Sequence, residues 1–171
     1  MKKIAIKYGI LAGLINAALM LISFPLWKNE MDFSKGEILG YTSMLIALSL
    51  IYFGIKKYRD DHLGGKIKFI QALKAGIFIT LVASLIYTIG WMIFSNTVFT
   101  DFETKYMEYM EAKIYATDES PEIQTLKLEK LKENMELYSN PLIQFVVTFF
   151  IEVFPVGLII SLISAMILKK K

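Results

Sequence analysis

One carboxylate stands alone in an otherwise uncharged stretch. Glu152, in "FFIEVFPVG", is the single charge between Pro141 and Leu168. A carboxylate at bilayer depth costs about 2.5–3.5 kcal/mol on insertion scales, so such groups face a helix interior or a wet cavity. Two roles suit it. It can relay a proton or a cation, or it can tie helices together by hydrogen bonds, with Asn16 of the first apolar run as a partner. Pro155, three residues on, has no N–H and leaves backbone carbonyls free nearby.

A second group with chemical potential lies in "KKYRDDHLGGKIKFIQALKAG", Lys56–Gly76. Asp60, Asp61 and His62 are all metal-capable, but three consecutive helical residues cannot face one ion. His62 is the only histidine and there is no cysteine. Transition-metal sites gather three or four ligands, so no metal site is expected. The lack of cysteine also removes disulfides and thiolate catalysis. No serine sits in a nucleophile elbow, and Gly64-Gly65 fits neither phosphate-loop pattern. Neither an enzyme nor a cofactor is expected.

The elements that must carry these residues are apolar. Tyr8–Trp27 runs 20 residues without a charge, Ile38–Ile55 runs 18, Ala75–Thr100 runs 26, and Pro141–Leu168 carries only Glu152 in 28. A helix needs about 20 mostly apolar residues to cross a hydrocarbon core roughly 30 Å thick. Soluble helices keep a polar face, and these do not. The expected fold is all-α: an integral membrane four-helix bundle in one domain, residues 1–171, with spans at about 4–27, 37–57, 69–99 and 141–168. The first run is too long for a secretory core and lacks a small-residue cleavage site, so it reads as an uncleaved span.

Charge sets the expected orientation. Lys2, Lys3 and Lys7 lie at the N-terminus, the second loop is rich in lysine, and the chain ends Lys169-Lys170-Lys171. The first loop, Lys28–Glu37, has two bases and three acids, and the third, Ser95–Asn140, has five bases and ten acids. Short basic loops stay cytoplasmic. Both termini and loop two are therefore expected inside, with the acidic third loop outside. The bases are split among three flanks, which suits lipid headgroups and gives no nucleic-acid surface.

Every span carries small residues four apart: Gly9, Gly13 and Ala17; Gly36 and Gly40; Ala72 and Gly76; Gly157, Ser161 and Ala165. Such faces let helix backbones approach closely in lipid. They predict a compact packing, or a homo-oligomer if one face is left over. Residues 100–140 predict an external helical hairpin. Phe102, Tyr106, Tyr109 and Lys113 fall on one stripe, then Ser120-Pro121 opens a second helix. Leu128, Leu131, Met135 and Tyr138 continue to Asn140-Pro141, where helix is disfavoured before proline. The hairpin is expected to stand out from the membrane as an extension of spans three and four, offering a face to a protein partner.

The second loop also carries a family mark. Tyr58-Arg59-Asp60, Gly64-Gly65, Ile67-x-Phe69, then Ala72-Leu73 and Gly76, resemble an uncharacterised family of bacterial four-span membrane proteins catalogued as a domain of unknown function. The resemblance extends over the chain length, the four spans and the long third loop. It implies a plasma-membrane protein, in the inner membrane of two-membrane bacteria, and carries over no activity. The resulting expectation is a non-enzymatic accessory or scaffold protein with a partner-binding hairpin. The alternative is a small proton- or cation-coupled transporter using Glu152. In these terms the turn is a topology anchor: Lys56, Lys57 and Arg59 hold span two at the surface, and Asp60 and Asp61 pair with nearby bases or cap the turn. The orientation is directly testable. A reporter fused after Lys127 should read as external and one after Lys68 as cytoplasmic; the reverse pattern would overturn it.

Overall fold

The protein is described by a computed structural model over residues 1–28 and 32–170. Glu30 of the first loop and Lys171 of the basic tail lie outside the described residues. The fold is all-α. Helix α1 spans Lys2–Lys28, α2 Phe33–Leu48, α3 Leu50–His62 and α4 Phe69–Thr97. The third loop folds as α5, Phe102–Tyr115, and α6, Pro121–Tyr138. The last rod is composite: α7 at Pro141–Val146, a π-helical segment at Val147–Val153, and α8 at Phe154–Leu168. Helices α2 and α3 form one rod across Ser49, which keeps helical angles and bonds its hydroxyl back to the Ile46 carbonyl at 2.6 Å. Four rods are long and apolar enough to cross a membrane.

Helix α4 is central, packed against α1, α3 and α8. Small residues set these contacts. A Cβ built on Gly9 would lie 2.5 Å from the Val82 Cβ, and one on Gly13 would lie 2.6 Å from the Ile86 Cβ. On the other side, Gly76 faces Ser161, and a Cβ on Gly157 would overlap the Thr80 side chain. The Thr80 and Ser161 hydroxyls meet at 3.1 Å, and Ser161 donates to the Gly157 carbonyl at 2.7 Å. The small faces of α1, α4 and α8 are thus used within one chain, whereas Gly40 of α2 has open space beside it. The exterior is as apolar as the core, and several polar side chains are buried with it. Asn16, Thr80, Ser84, Thr88 and Ser161 are buried, while Ile22, Ile38, Leu142 and Ile151 are each about two-thirds exposed. In lipid, that outer surface is solvated and the polar groups are not.

The second loop closes one end, called here the turn end. Gly64 and Gly65 take φ of 61° and 81°, the left-handed region where a side chain is disfavoured. The Arg59 carbonyl then accepts from both Leu63 N (3.1 Å) and Gly65 N (3.2 Å), finishing α3. Arg59 bonds Asp60 at 2.7 Å and Lys57 pairs with Asp61 at 3.0 Å, as expected of the aspartates. Ile67 and Lys170 exchange backbone hydrogen bonds of 3.1 and 3.0 Å, stapling the turn to the C-terminus.

At the opposite end the hairpin departs from the expected geometry. It does not continue spans three and four: the chain breaks at residues 98–101 and again at Ser139-Asn140. Phe99 N bonds back to the Phe94 carbonyl at 3.0 Å, and the Asn140 side chain caps Leu142 N at 2.9 Å. Ser120 takes the extended backbone of an N-cap before Pro121, without a side-chain bond. Two breaks allow the hairpin to fold back over the helix ends.

The α4–α8 seam leaves no room for a side chain. Gly157→Val should therefore destabilise the protein by about 1–3 kcal/mol, the usual cost of overpacking, read as a lowered melting temperature in detergent. Gly40→Ala, on a helix face with open space around it, should leave the melting temperature unchanged. Equal effects would contradict the packing described.

Candidate functional site

The hairpin covers one side of a half-open chamber of about 720 Å³ lined by α1, α2, α4, α7, the π segment and both hairpin helices. Its hairpin-end wall rests on an aromatic cluster. Phe24 and Trp27 of α1, Phe33 of α2, and Phe94 and Phe99 at the end of α4 are buried together. Their rings meet mostly edge-to-face, with centroids 4.9 Å apart for Phe24–Phe94 and 5.2 Å for Phe24–Trp27. Trp27 lies over Gly36, where a Cβ would stand 3.0 Å from the indole. The expected stripe of α5 docks here: Phe102, Tyr106 and Tyr109 surround Phe33 at 6.1, 5.5 and 5.2 Å, and Lys113 lies over the Tyr109 ring. The Tyr109 hydroxyl also bonds Ser34.

Helix α6 supplies the rest of the roof. Leu131, Met135 and Tyr138 line the chamber instead of offering a face outward. Tyr138 accepts a 2.9 Å hydrogen bond from the Trp91 indole, which latches α6 to α4. Beside it, Gln144 donates to Ser95 at 3.1 Å, joining the start of the last rod to α4.

Glu152 reaches the chamber from the π segment. It is the twelfth residue of the last rod, roughly 15 Å from the hairpin end at helical rise. Pro155 gives a physical reason for the widened backbone. Its ring would clash with the carbonyl four residues back and it cannot donate there. The chain instead bonds Phe154 N to the Phe149 carbonyl, five residues back. Segments of this kind re-aim side chains and recur at functional sites. Glu152 is half-buried, and among the described residues it makes no hydrogen bond or ion pair. The expected tie to Asn16 is not formed. Asn16 is buried in α1 with neither polar atom bonded.

Glu37, absent from the sequence-derived candidates, is the second carboxylate of the wall. Its signal was faint, since it sits where a loop acid is unremarkable. Burial pushes the Tyr106 phenol above its ordinary value, and the carboxylates of Glu37 and Glu152 add to that shift. Both acidic side chains therefore bear on one wall residue. Among the described residues no lysine, arginine or histidine lines the chamber. The turn residues Tyr58, Arg59, Asp60, Gly64 and Gly65 are not brought to it. Asp60 is sixteen residues along the rod from Met44 of the wall, roughly 24 Å away. Among the described residues no cluster of three or more His, Cys, Asp or Glu could hold a metal.

Four apolar rods and an apolar exterior among the described residues define a multi-pass membrane protein. Within that class, the chain belongs to the family described as "Protein of unknown function (DUF4199)", whose model matches residues 7–170. No curated protein and no solved structure matches the chain.

An unbonded carboxylate at a cavity wall contributes little to holding helices together. Glu152→Leu should melt at or above the wild-type temperature in detergent, and Glu152→Gln should be close to wild type. A clear loss of stability in the leucine variant alone would restore the helix-tie role.

Proposed function

We propose that this is a plasma-membrane four-helix bundle that binds a small molecule in the chamber under its hairpin and serves as a non-enzymatic carrier. The observation that carries this reading is the unpaired carboxylate of Glu152, delivered by a π segment to a chamber of 720 Å³. That volume lies in the range of small-molecule sites, about 300–1,000 Å³. Intramembrane carboxylates that face a cavity commonly mark substrate or proton pathways. The acidic third loop supports an orientation in which the chamber's roof faces outward and both termini are cytoplasmic.

A second reading keeps the protein as an accessory or scaffold whose hairpin binds a partner. It is favoured by Tyr115, Ile123 and Leu126, which are exposed on the hairpin away from the chamber wall.

The chain has no cysteine, so single-cysteine labelling is clean. Met44→Cys, on the chamber wall, should react with a small water-soluble thiol reagent. Gly40→Phe should abolish that reaction by filling the chamber, because Gly40 lines it and faces open space. An inert Met44→Cys in the otherwise native background would sink the chamber reading. Ile123→Asp combined with Leu126→Asp separates the two functions: it should remove any crosslinked partner while leaving the labelling unchanged.

A further inference from the structure

The chamber's wall chemistry points to one class of occupant. Most wall residues are aromatic or methionine, and among the described residues the ionisable groups besides its tyrosines are the carboxylates of Glu37 and Glu152. Neither carboxylate has an ion-pair partner among the described residues. The half-buried carboxylate of Glu152 favours a cation more strongly than exposed Glu37 does, because its interaction is less screened. Aromatic faces favour the same charge, through attraction between a cation and the ring quadrupole. The cluster already uses that attraction at its edge, where the Lys28 ammonium lies 5.2 Å from the Phe24 ring centroid.

A small metal ion fits poorly. It needs several oxygen ligands at short distance, and among the described residues no acidic cluster supplies them. An anion would meet two carboxylates and no base. A zwitterionic lipid headgroup would bring a phosphate that finds no basic side chain in the wall. A bulky, weakly hydrated cation meets each feature: its charge matches the carboxylates and its apolar body matches the rings and thioethers.

We propose that the chamber takes a free lipophilic organic cation, with Glu152 and Glu37 answering its charge and Trp91, Phe102, Tyr106 and Tyr138 receiving its body. This rests on the reading of the chamber as a small-molecule site.

The test uses two ions of the same shape and opposite charge, tetraphenylphosphonium and tetraphenylborate, titrated against the full chain in maltoside detergent. The phosphonium should bind saturably and the borate should not. Glu152→Gln should weaken the phosphonium about tenfold or more, the scale of one poorly screened charge pair. Benzyltrimethylammonium should displace it. Should Glu152→Gln fail to fold, Glu37→Gln, on an exposed position, carries the same test with a smaller loss. Equal saturable binding of both ions, blocked by Gly40→Phe, would overturn the charge assignment and leave the chamber as a binding site. No saturable binding of either ion would overturn both. Displacement of the phosphonium by glycerophosphocholine as readily as by benzyltrimethylammonium would transfer the site to a lipid headgroup and overturn the free-cation proposal.

Discussion

The structure depends on how closely the backbones of α1 and α8 approach α4. Lipid is as apolar as any leucine, so helices in a bilayer gain little by hiding apolar surface from it. What holds them is contact between backbones, and that requires small residues at the seam. Gly9 and Gly13 provide it against α4 on one side, and Gly157 with Ser161 on the other. Along the rods the side chains then change in size. Ala5, Ala12, Ala72, Ala75 and Ala165 are buried toward the turn end. Phe24, Trp27, Phe33, Phe94 and Phe99 fill the hairpin end. Helices pinned together where residues are small, and wedged by rings where they are large, leave a space between. The chamber follows from that gradient, with the hairpin supplying its outer wall.

Backbone satisfaction shapes the same space. Within lipid every N–H and C=O must find a partner, and irregular helix persists only where protein or a cavity lies beside it. The π segment meets that condition. It lies between the Pro155 that disturbs the helix and the chamber that its residue Glu152 lines. A regular helix through Val147–Val153 would present a different face to α4. Proline, widened backbone and carboxylate thus act as one device, and removing the proline would redirect the side chain without altering its chemistry.

Much of this was legible in the sequence, for identifiable reasons. The four rods follow from uncharged length, which needs no tertiary information. The turn at Gly64-Gly65 follows from residues that tolerate positive φ, and the hairpin follows from the spacing of Phe102, Tyr106 and Tyr109. The face of α6 was legible as a stripe, but not its destination: Leu131 and Met135 are apolar whether they meet a partner or line a chamber. The direction of the hairpin was also hidden. It depends on Phe99, an aromatic in a short connection whose ring is buried only because α1, α2 and α5 converge on it. Glu152 stood out because charge is rare in a span, whereas Glu37 became visible only once it shared a wall with Glu152.

The two ends of the molecule differ in how firmly they are closed. At the turn end the Ile67–Lys170 backbone pair joins the second loop to the C-terminus, and Ile67 and Leu168 are buried beneath it. The roof at the other end is lighter. Among its described residues α6 has none that is buried, and its one side-chain hydrogen bond to α4 is that of Tyr138 with Trp91. Elements with few buried contacts open at lower free energy than the packed core around them. Parting α6 from the rods breaks less than parting α1, α4 and α8, whose seams have no slack. The hairpin is therefore the side that opens at least cost, and its acidic character suits the cation proposed for the chamber.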